Sequence, residues 1–196
     1  MNILLDADSM VSLGNMYITG DGIEQDYAEA LKWYLKAAEL GNAEAQHNLG
    51  YMYDTGTGVM QDRDEAIKWY RQAAEQGHAP SQNNLGLMYE DDGNYFEAVK
   101  WFRKAAEQGS VESQCSLANC YYLGNGVEQN ANEAFKWFHK AAEQGDSDAQ
   151  FNVGLMYGKG VGTEKNYPEA LSWFRKAARQ GNEQAQDTLT QLGEKF

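Results

Sequence analysis

Apolar residues around position 50 recur at steps of three and four, as in Ala45, Leu49, Met52 and Tyr53. This is the period of a helix with one buried face. Gly50 beside Leu49 leaves room for a second helix to come close, and Gly56 and Gly58 then break the helix and turn the chain. A second helical stretch follows, with Ala66, Trp69, Tyr70, Ala73 and Ala74 on one face and Glu65, Lys68, Arg71 and Glu75 on the other. Gly77 ends it, where a left-handed residue is wanted. The pattern predicts an antiparallel hairpin: a shorter helix A, a glycine turn, a longer helix B and a second glycine turn.

The hairpin repeats. Leu-Gly-x-Met-Tyr begins at Leu13, Leu49 and Leu85, becomes Leu-Ala-Asn-Cys-Tyr at Leu117, returns at Val153 and fades at Leu189. The first five copies are separated by 36, 36, 32 and 36 residues. A Glu-Ala-x-x-Trp block follows each of these five, starting at Glu29, Glu65, Glu97, Glu133 and Glu169. Such a period marks stacked units, each unable to bury its apolar face alone. The expected organisation is one domain over residues 6–196, with repeats at about 6–41, 42–77, 78–109, 110–145 and 146–181. A capping helix over 182–193 completes it, and residues 1–5 form an N-terminal extension. The third copy lacks four residues and the Gly-x-Gly-Val turn, so its hairpin should close more tightly. In the fifth, Thr163 stands where the second has Val59, and Val161 is expected to supply the missing apolar contact. Pro80 and Pro168 fall in first turns of predicted helices, where a missing amide proton costs least. The five tryptophans share one repeat position. Each ring removes roughly 150–250 Å² from water, and core packing is their expected role.

At these residues the chain resembles the Sel1-like repeat (SLR) family, a relative of tetratricopeptide repeats. The carrying motifs are Ala-x-Ala-Gln-x-Asn-Leu-Gly-x-Met-Tyr (43–53), Gly-x-Gly-Val (56–59) and Glu-Ala-x-Lys-Trp-Tyr-Arg-x-Ala-Ala-Glu-x-Gly (65–77). The resemblance implies an all-α fold: a right-handed α-α superhelix, or solenoid, of about five helical hairpins plus the cap. Helices A would line its concave face and helices B its convex face. It also implies a non-catalytic adaptor of a kind frequent in bacteria.

The net charge of −13 argues against nucleic acid, whose binding rests on neutralising phosphates. It argues equally against anionic membrane surfaces. No apolar run approaches the roughly 20 residues that span a bilayer, so a soluble chain is expected. The two cysteines, Cys115 and Cys120, lie five residues apart and point different ways along a helix. Reduced thiols suit the cytoplasm, although export of a longer precursor is compatible with the sequence.

Lysines and arginines fall in predicted B helices, turns and the tail, whereas the A helices hold Asp8, Glu44, Asp54, Glu90, Glu112, Asp148, Glu183 and Asp187. A hollow lined by helices A would therefore be negative and free of cations. Acids near helix starts also favour the macrodipole, which accounts for Asp8, Glu44, Glu112 and Asp148 without any ligand. By analogy with tetratricopeptide repeats, A-helix residues at offsets −5, −2, +2 and +5 from the motif leucine should face outward. The analogy implies a partner-binding set of Asn15, Glu44, His47, Tyr51, Asp54, Asn83, Leu87, Glu90, Glu112, Asn119, Tyr122, Asp148, Phe151 and Leu155. Val11, Ile18 and Cys115 occupy the same rows. The expected partner is a peptide or protein with basic and apolar side chains, bound in an acidic, partly apolar concave groove. The second reading is an inhibitor or immunity-type protein that masks a bacterial toxin or enzyme. A first copy without a polar cap points to a longer parent chain, or to self-association through Met10, Leu13 and Met16.

No catalytic or metal-binding pattern emerges, and no cofactor is expected. His78 and His139 read as solvated positions. His47 and Cys115 lie two repeats apart, beyond the ~3 Å reach of a nucleophile–base pair, and no cluster has zinc-ligand spacing. The Gly-x-Gly turns follow helices rather than strands, unlike a phosphate-binding loop.

Overall fold

The computed structural model describes residues 5–195. Those residues form eleven α-helices and no strand. The A arms are α1 (Ala7–Thr19), α3 (Ala43–Thr55), α5 (Ala79–Asp91), α7 (Val111–Leu123) and α9 (Ser147–Lys159). The B arms are α2 (Tyr27–Glu39), α4 (Arg63–Glu75), α6 (Tyr95–Glu107), α8 (Ala131–Glu143) and α10 (Tyr167–Arg179), with α11 (Glu183–Gln191) last. The chain divides into two compact units, Met1–Met88 and Tyr89–Phe196. Of the expected N-terminal extension, residues 1–4 lie outside the described residues.

The arms do not differ in length as expected: all ten hairpin helices have 13 residues. Caps set this. Asp26, Asp62, Asn94, Asn130 and Asn166 accept first-turn N–H groups of the B arms. Asp6, Asn42, Ser110 and Asp146 do so for four of the A arms. In the full-length turns the cap's own N–H reaches back to a motif tyrosine carbonyl, as from Asp62 to Tyr53 at 2.9 Å and from Asn130 to Tyr121 at 2.9 Å. The shortened third turn keeps that bond, from Asn94 to Tyr89 at 2.8 Å. The deletion removed turn residues while sparing this closing bond. Val161 packs on the same core cluster as Val127 does in the fourth copy.

Glycine sets the spacing of helices within and between hairpins. A Cβ on Gly50 would lie 2.5 Å from the Tyr70 ring, and one on Gly154 2.6 Å from Phe174. The second turn glycine meets the preceding repeat. A side chain on Gly126 would collide with the Tyr95 carbonyl, and one on Gly162 with that of Ala131. Apolar cores fill the rest. In the first unit Tyr34, Leu49 and Met52 are buried together, with Trp69 packed against them. In the second, Phe102, Leu117, Trp137, Phe138, Val153 and Trp173 share one cluster.

A buried polar clamp joins consecutive repeats. Gln46 donates to the Ala38 carbonyl at 3.4 Å and accepts from Gln76 at 2.7 Å. Gln114 and Gln150 repeat the arrangement, with Gln144 and Gln180 as donors at 2.8 Å. Each glutamine thereby satisfies a B-helix carbonyl that would otherwise be buried without a partner, at a cost of about 1–3 kcal/mol.

Two glycines isolate the inter-repeat contact. Gly22 and Gly126 have φ of +75° and +70°, but Gly22 has only the Met16 methyl within 4 Å. Both alanine substitutions impose left-handed strain of roughly 1 kcal/mol. Gly126→Ala should cost at least ~1 kcal/mol more in urea unfolding, because it also strikes backbone. Equal losses would contradict the close-approach account.

Candidate functional site

The A arms present their rows unequally. At offset +2, Asn15, Tyr51, Leu87 and Asn119 are exposed and Leu155 is half-buried. Tyr51 is 52% exposed, Leu87 41% and Tyr122, at +5, 42%. At offset −5, Glu44, Glu112 and Asp148 are exposed. At +5, Ile18, Asp54 and Glu90 are half-buried. Burial raises the Glu90 carboxyl above its ordinary range, and Asp91 adds to the effect.

The −2 row does not face outward as expected. Val11 is only 4% exposed, and His47, Asn83, Cys115 and Phe151 are half-buried. Phe151 lies against Phe174, with ring centroids 5.6 Å apart. Cys115 packs on the second unit's core. Burial and then the Asp146 carboxylate push its thiol up to about 12, which removes the thiolate at neutral pH. A two-residue step back from the motif leucine turns the side chain toward the adjoining hairpin, so this row packs.

His47 and His78 meet in the first unit. Their ring centroids are 4.9 Å apart, and each Nδ1 lies within 3.0 Å of the Ser81 hydroxyl. His78 is half-buried rather than solvated because it takes the capping position that Asn42 and Ser110 hold elsewhere, accepting from the Ser81 N–H at 3.3 Å. Burial, and next its neighbour His78, lower the His47 imidazole to about 4. Burial also lowers His78, opposed by Glu44. His139 is half-buried as well, edge-on to Trp173 at 5.3 Å.

Several acids have internal duties. Asp8 accepts from the Asn42 side chain at 2.8 Å, and Asp148 from Asn182 at 2.7 Å. Glu112 accepts from Ser110 at 3.1 Å. The expectation of cation-free A arms needs correction: α9 extends through Lys159. Lys159 borders a cavity with Asn119, Tyr122 and Leu155, because the helix runs on until Gly160 reverses it. Sequence reasoning also missed Asn48 and Asn152, which line cavities beside the +2 row. Their signal was the asparagine preceding the motif residue at 48, 84 and 152.

Lysines of the B arms are engaged on their own helices. Lys68, Lys100 and Lys136 pair with Glu65, Glu97 and Glu133 at 3.0, 2.6 and 3.3 Å. Lys36, Lys104, Lys140 and Lys176 sit 3.6–4.1 Å from the ring centroids of Trp33, Trp101, Trp137 and Trp173. Among the described residues, no three His, Cys, Asp or Glu side chains are grouped to hold a metal ion.

An all-α repeat of capped hairpins defines a helical-repeat solenoid. The Sel1 repeat model matches residues 7–42, 43–78, 79–110, 111–146 and 147–182, and the chain belongs to the Sel1 repeat family. Proteins of this family generally mediate protein–protein interaction. No curated relative matches the chain. Among solved structures it is similar to a protective antigen of uropathogenic Escherichia coli with an SLR fold. That similarity is 39% identity and a TM-score of 0.89, over 92% of this chain and 40% of the antigen. A Sel1 repeat protein from Oxalobacter formigenes is 38% identical with a TM-score of 0.84, over 94% of this chain and 75% of its own. An immunity protein from Pseudomonas aeruginosa is 25% identical with a TM-score of 0.54, over 91% of this chain and 67% of its own.

The histidine pair sets a pH dependence. An unfolded histidine titrates near 6.5, so between about pH 6.5 and 4 the unfolded chain binds more protons than the folded one. Stability must therefore fall as pH drops through that window. With His47 at about 4, its share between pH 7 and 5 is about 2 kcal/mol. The His47→Gln variant should lose correspondingly less stability over that interval in urea titrations, and an identical loss would show that the imidazole is not held neutral.

Proposed function

We propose that the chain is a non-catalytic adaptor that binds a peptide or protein partner along the outward side chains of its A arms. The carrying observation is the contrast between arms. The lysines of the B arms cited above are tied to glutamates and indoles on their own helices, whereas Tyr51, Leu87 and Tyr122 stand exposed beside acids on the A arms. Clustered exposed apolar groups mark interaction surfaces, and tyrosine is enriched where binding energy concentrates. The acids Glu44, Asp54, Glu90, Glu112 and Asp148 favour a partner with basic as well as apolar side chains, and a net charge of −13 disfavours nucleic acid. The two free cysteines fit a cytoplasmic setting, and no helix among the described residues is long and apolar enough to cross a membrane. Exposed Met16, with half-buried Met10 and Leu13, supports self-association as a further mode.

A second reading has its own support. The similarity to an immunity protein favours an inhibitor that covers a toxin or enzyme with the same acidic face.

Both readings place affinity on the A arms. With a partner captured from the native host, Tyr51→Ala and Tyr122→Ala should each weaken binding at least ~10-fold, about 1.4 kcal/mol, without lowering thermal stability. Raising salt should weaken it further. Unchanged affinity in both variants would remove the A-arm surface from consideration.

A further inference from the structure

Two cavities occupy matching places in the repeat, one in each unit, and they differ chemically. The first, about 220 Å³ between α1, α2 and α3, is lined by Asn15, Tyr34, Asn48, Tyr51 and Thr57 among others. The second, about 230 Å³ between α7, α8 and α9, has Asn119, Phe138, Asn152, Leu155 and Val161 at those positions. In the first, the Tyr34 hydroxyl donates to the Asn15 carboxamide at 2.6 Å. Thr55 there donates to the Tyr51 carbonyl at 2.8 Å and lies 2.7 Å from the Thr57 hydroxyl. The Asn15 carboxamide and the Thr55 and Thr57 hydroxyls there are thus satisfied from within.

The second has lost this internal satisfaction. Phe138 carries no hydroxyl, so Asn119 keeps its carboxamide without an intramolecular hydrogen bond among the described residues. Lys159 replaces Thr55 and forms no ion pair among the described residues, and Val161 replaces Thr57. An apolar floor therefore lies beneath two carboxamides and one cation. Ligand pockets for small molecules run to about 300–1,000 Å³, so this space suits a single side chain rather than a cofactor. Each carboxamide offers both donors and an acceptor, matching the N–H and C=O of an extended backbone. Lys159 supplies a compact positive charge.

We infer that the cavity between α7, α8 and α9 receives one apolar side chain of a bound peptide, whose adjacent residue places a carboxylate on Lys159. The inference rests on the A-arm reading above and deepens it, giving an otherwise cation-attracting surface one site of opposite preference. Charge complementarity at Lys159 and the freed carboxamide of Asn119 select that occupant.

The probes are two blocked tetrapeptides, acetyl-Gly-Leu-Asp-Gly-amide and its Asn counterpart, titrated against protein carrying ¹³C-labelled Leu, Met and Val methyl groups. The Asp peptide should shift the methyl signals of Leu155, Met156 and Val161 with a Kd on the order of 1 mM, and the Asn peptide should bind at least ~5-fold more weakly. Lys159→Met should erase that difference. Phe138→Tyr, which restores the pairing seen between Tyr34 and Asn15, should weaken both peptides while leaving the fold intact. Equal binding of the two peptides, indifference to Phe138→Tyr, or no shift at these methyls would overturn the inference. Shifts confined to Leu87 would overturn it and leave the A-arm surface standing. Shifts confined to B-arm methyls such as Leu35 or Leu171 would overturn both.

Discussion

A helix of thirteen residues cannot bury its apolar stripe alone, so every hairpin here depends on how closely a neighbour's backbone can approach. Glycine sets that distance twice. Gly50 and Gly154 receive the flat face of an aromatic ring from the opposite arm, and Gly126 and Gly162 rest on first-turn carbonyls of the preceding B arm. Once the backbones are this near, the buried glutamines at 46, 114 and 150 can bridge repeats by hydrogen bonding a carbonyl on one side and a second glutamine on the other. These positions recur because the stacking requires them, which leaves little freedom for function at any of them.

Function is left to side chains that the stacking does not use. On the B arms the lysines are already engaged, although Phe96 and Tyr167 stay exposed. Lysines fold down onto tryptophan rings or across to glutamates one turn away. Such exposed pairs contribute only about 0.2–1 kcal/mol each to stability, but they neutralise the back of the repeat. The A arms differ. Some of their acids tie neighbouring caps, as Asp8 and Asp148 do, while the side chains of Glu44, Tyr51 and Tyr122 make no comparable hydrogen bond among the described residues. The acids left without such a duty are therefore fewer than a residue count suggests, and Lys159 adds a cation to the A arms.

The hairpins, the glycine turns and the shortened third closure were all legible in the sequence, because each rests on spacing. The capped lengths were less so, since a cap is a side chain whose meaning depends on the three residues after it. His78 shows the difficulty. It holds a position given to Asn or Ser in other copies, and only the geometry reveals that an imidazole can cap the helix and meet His47. The A-arm rows failed at offset −2 for another reason. Periodicity places Val11 and Phe151 on one face, but how far that face turns toward the next hairpin is set by packing across repeats. Lys159 reads from the sequence as a turn residue, whereas α9 runs through it to its cap at Gly160.

The account stands on the claim that partners meet the A arms and not the lysine–tryptophan back. Site-directed photo-crosslinking in the native host tests it directly, with a benzophenone side chain placed singly at Tyr51, Tyr122, Lys36 or Lys104. The account predicts a discrete crosslinked partner from positions 51 and 122 and none from 36 and 104. Crosslinks confined to 36 and 104 would contradict it.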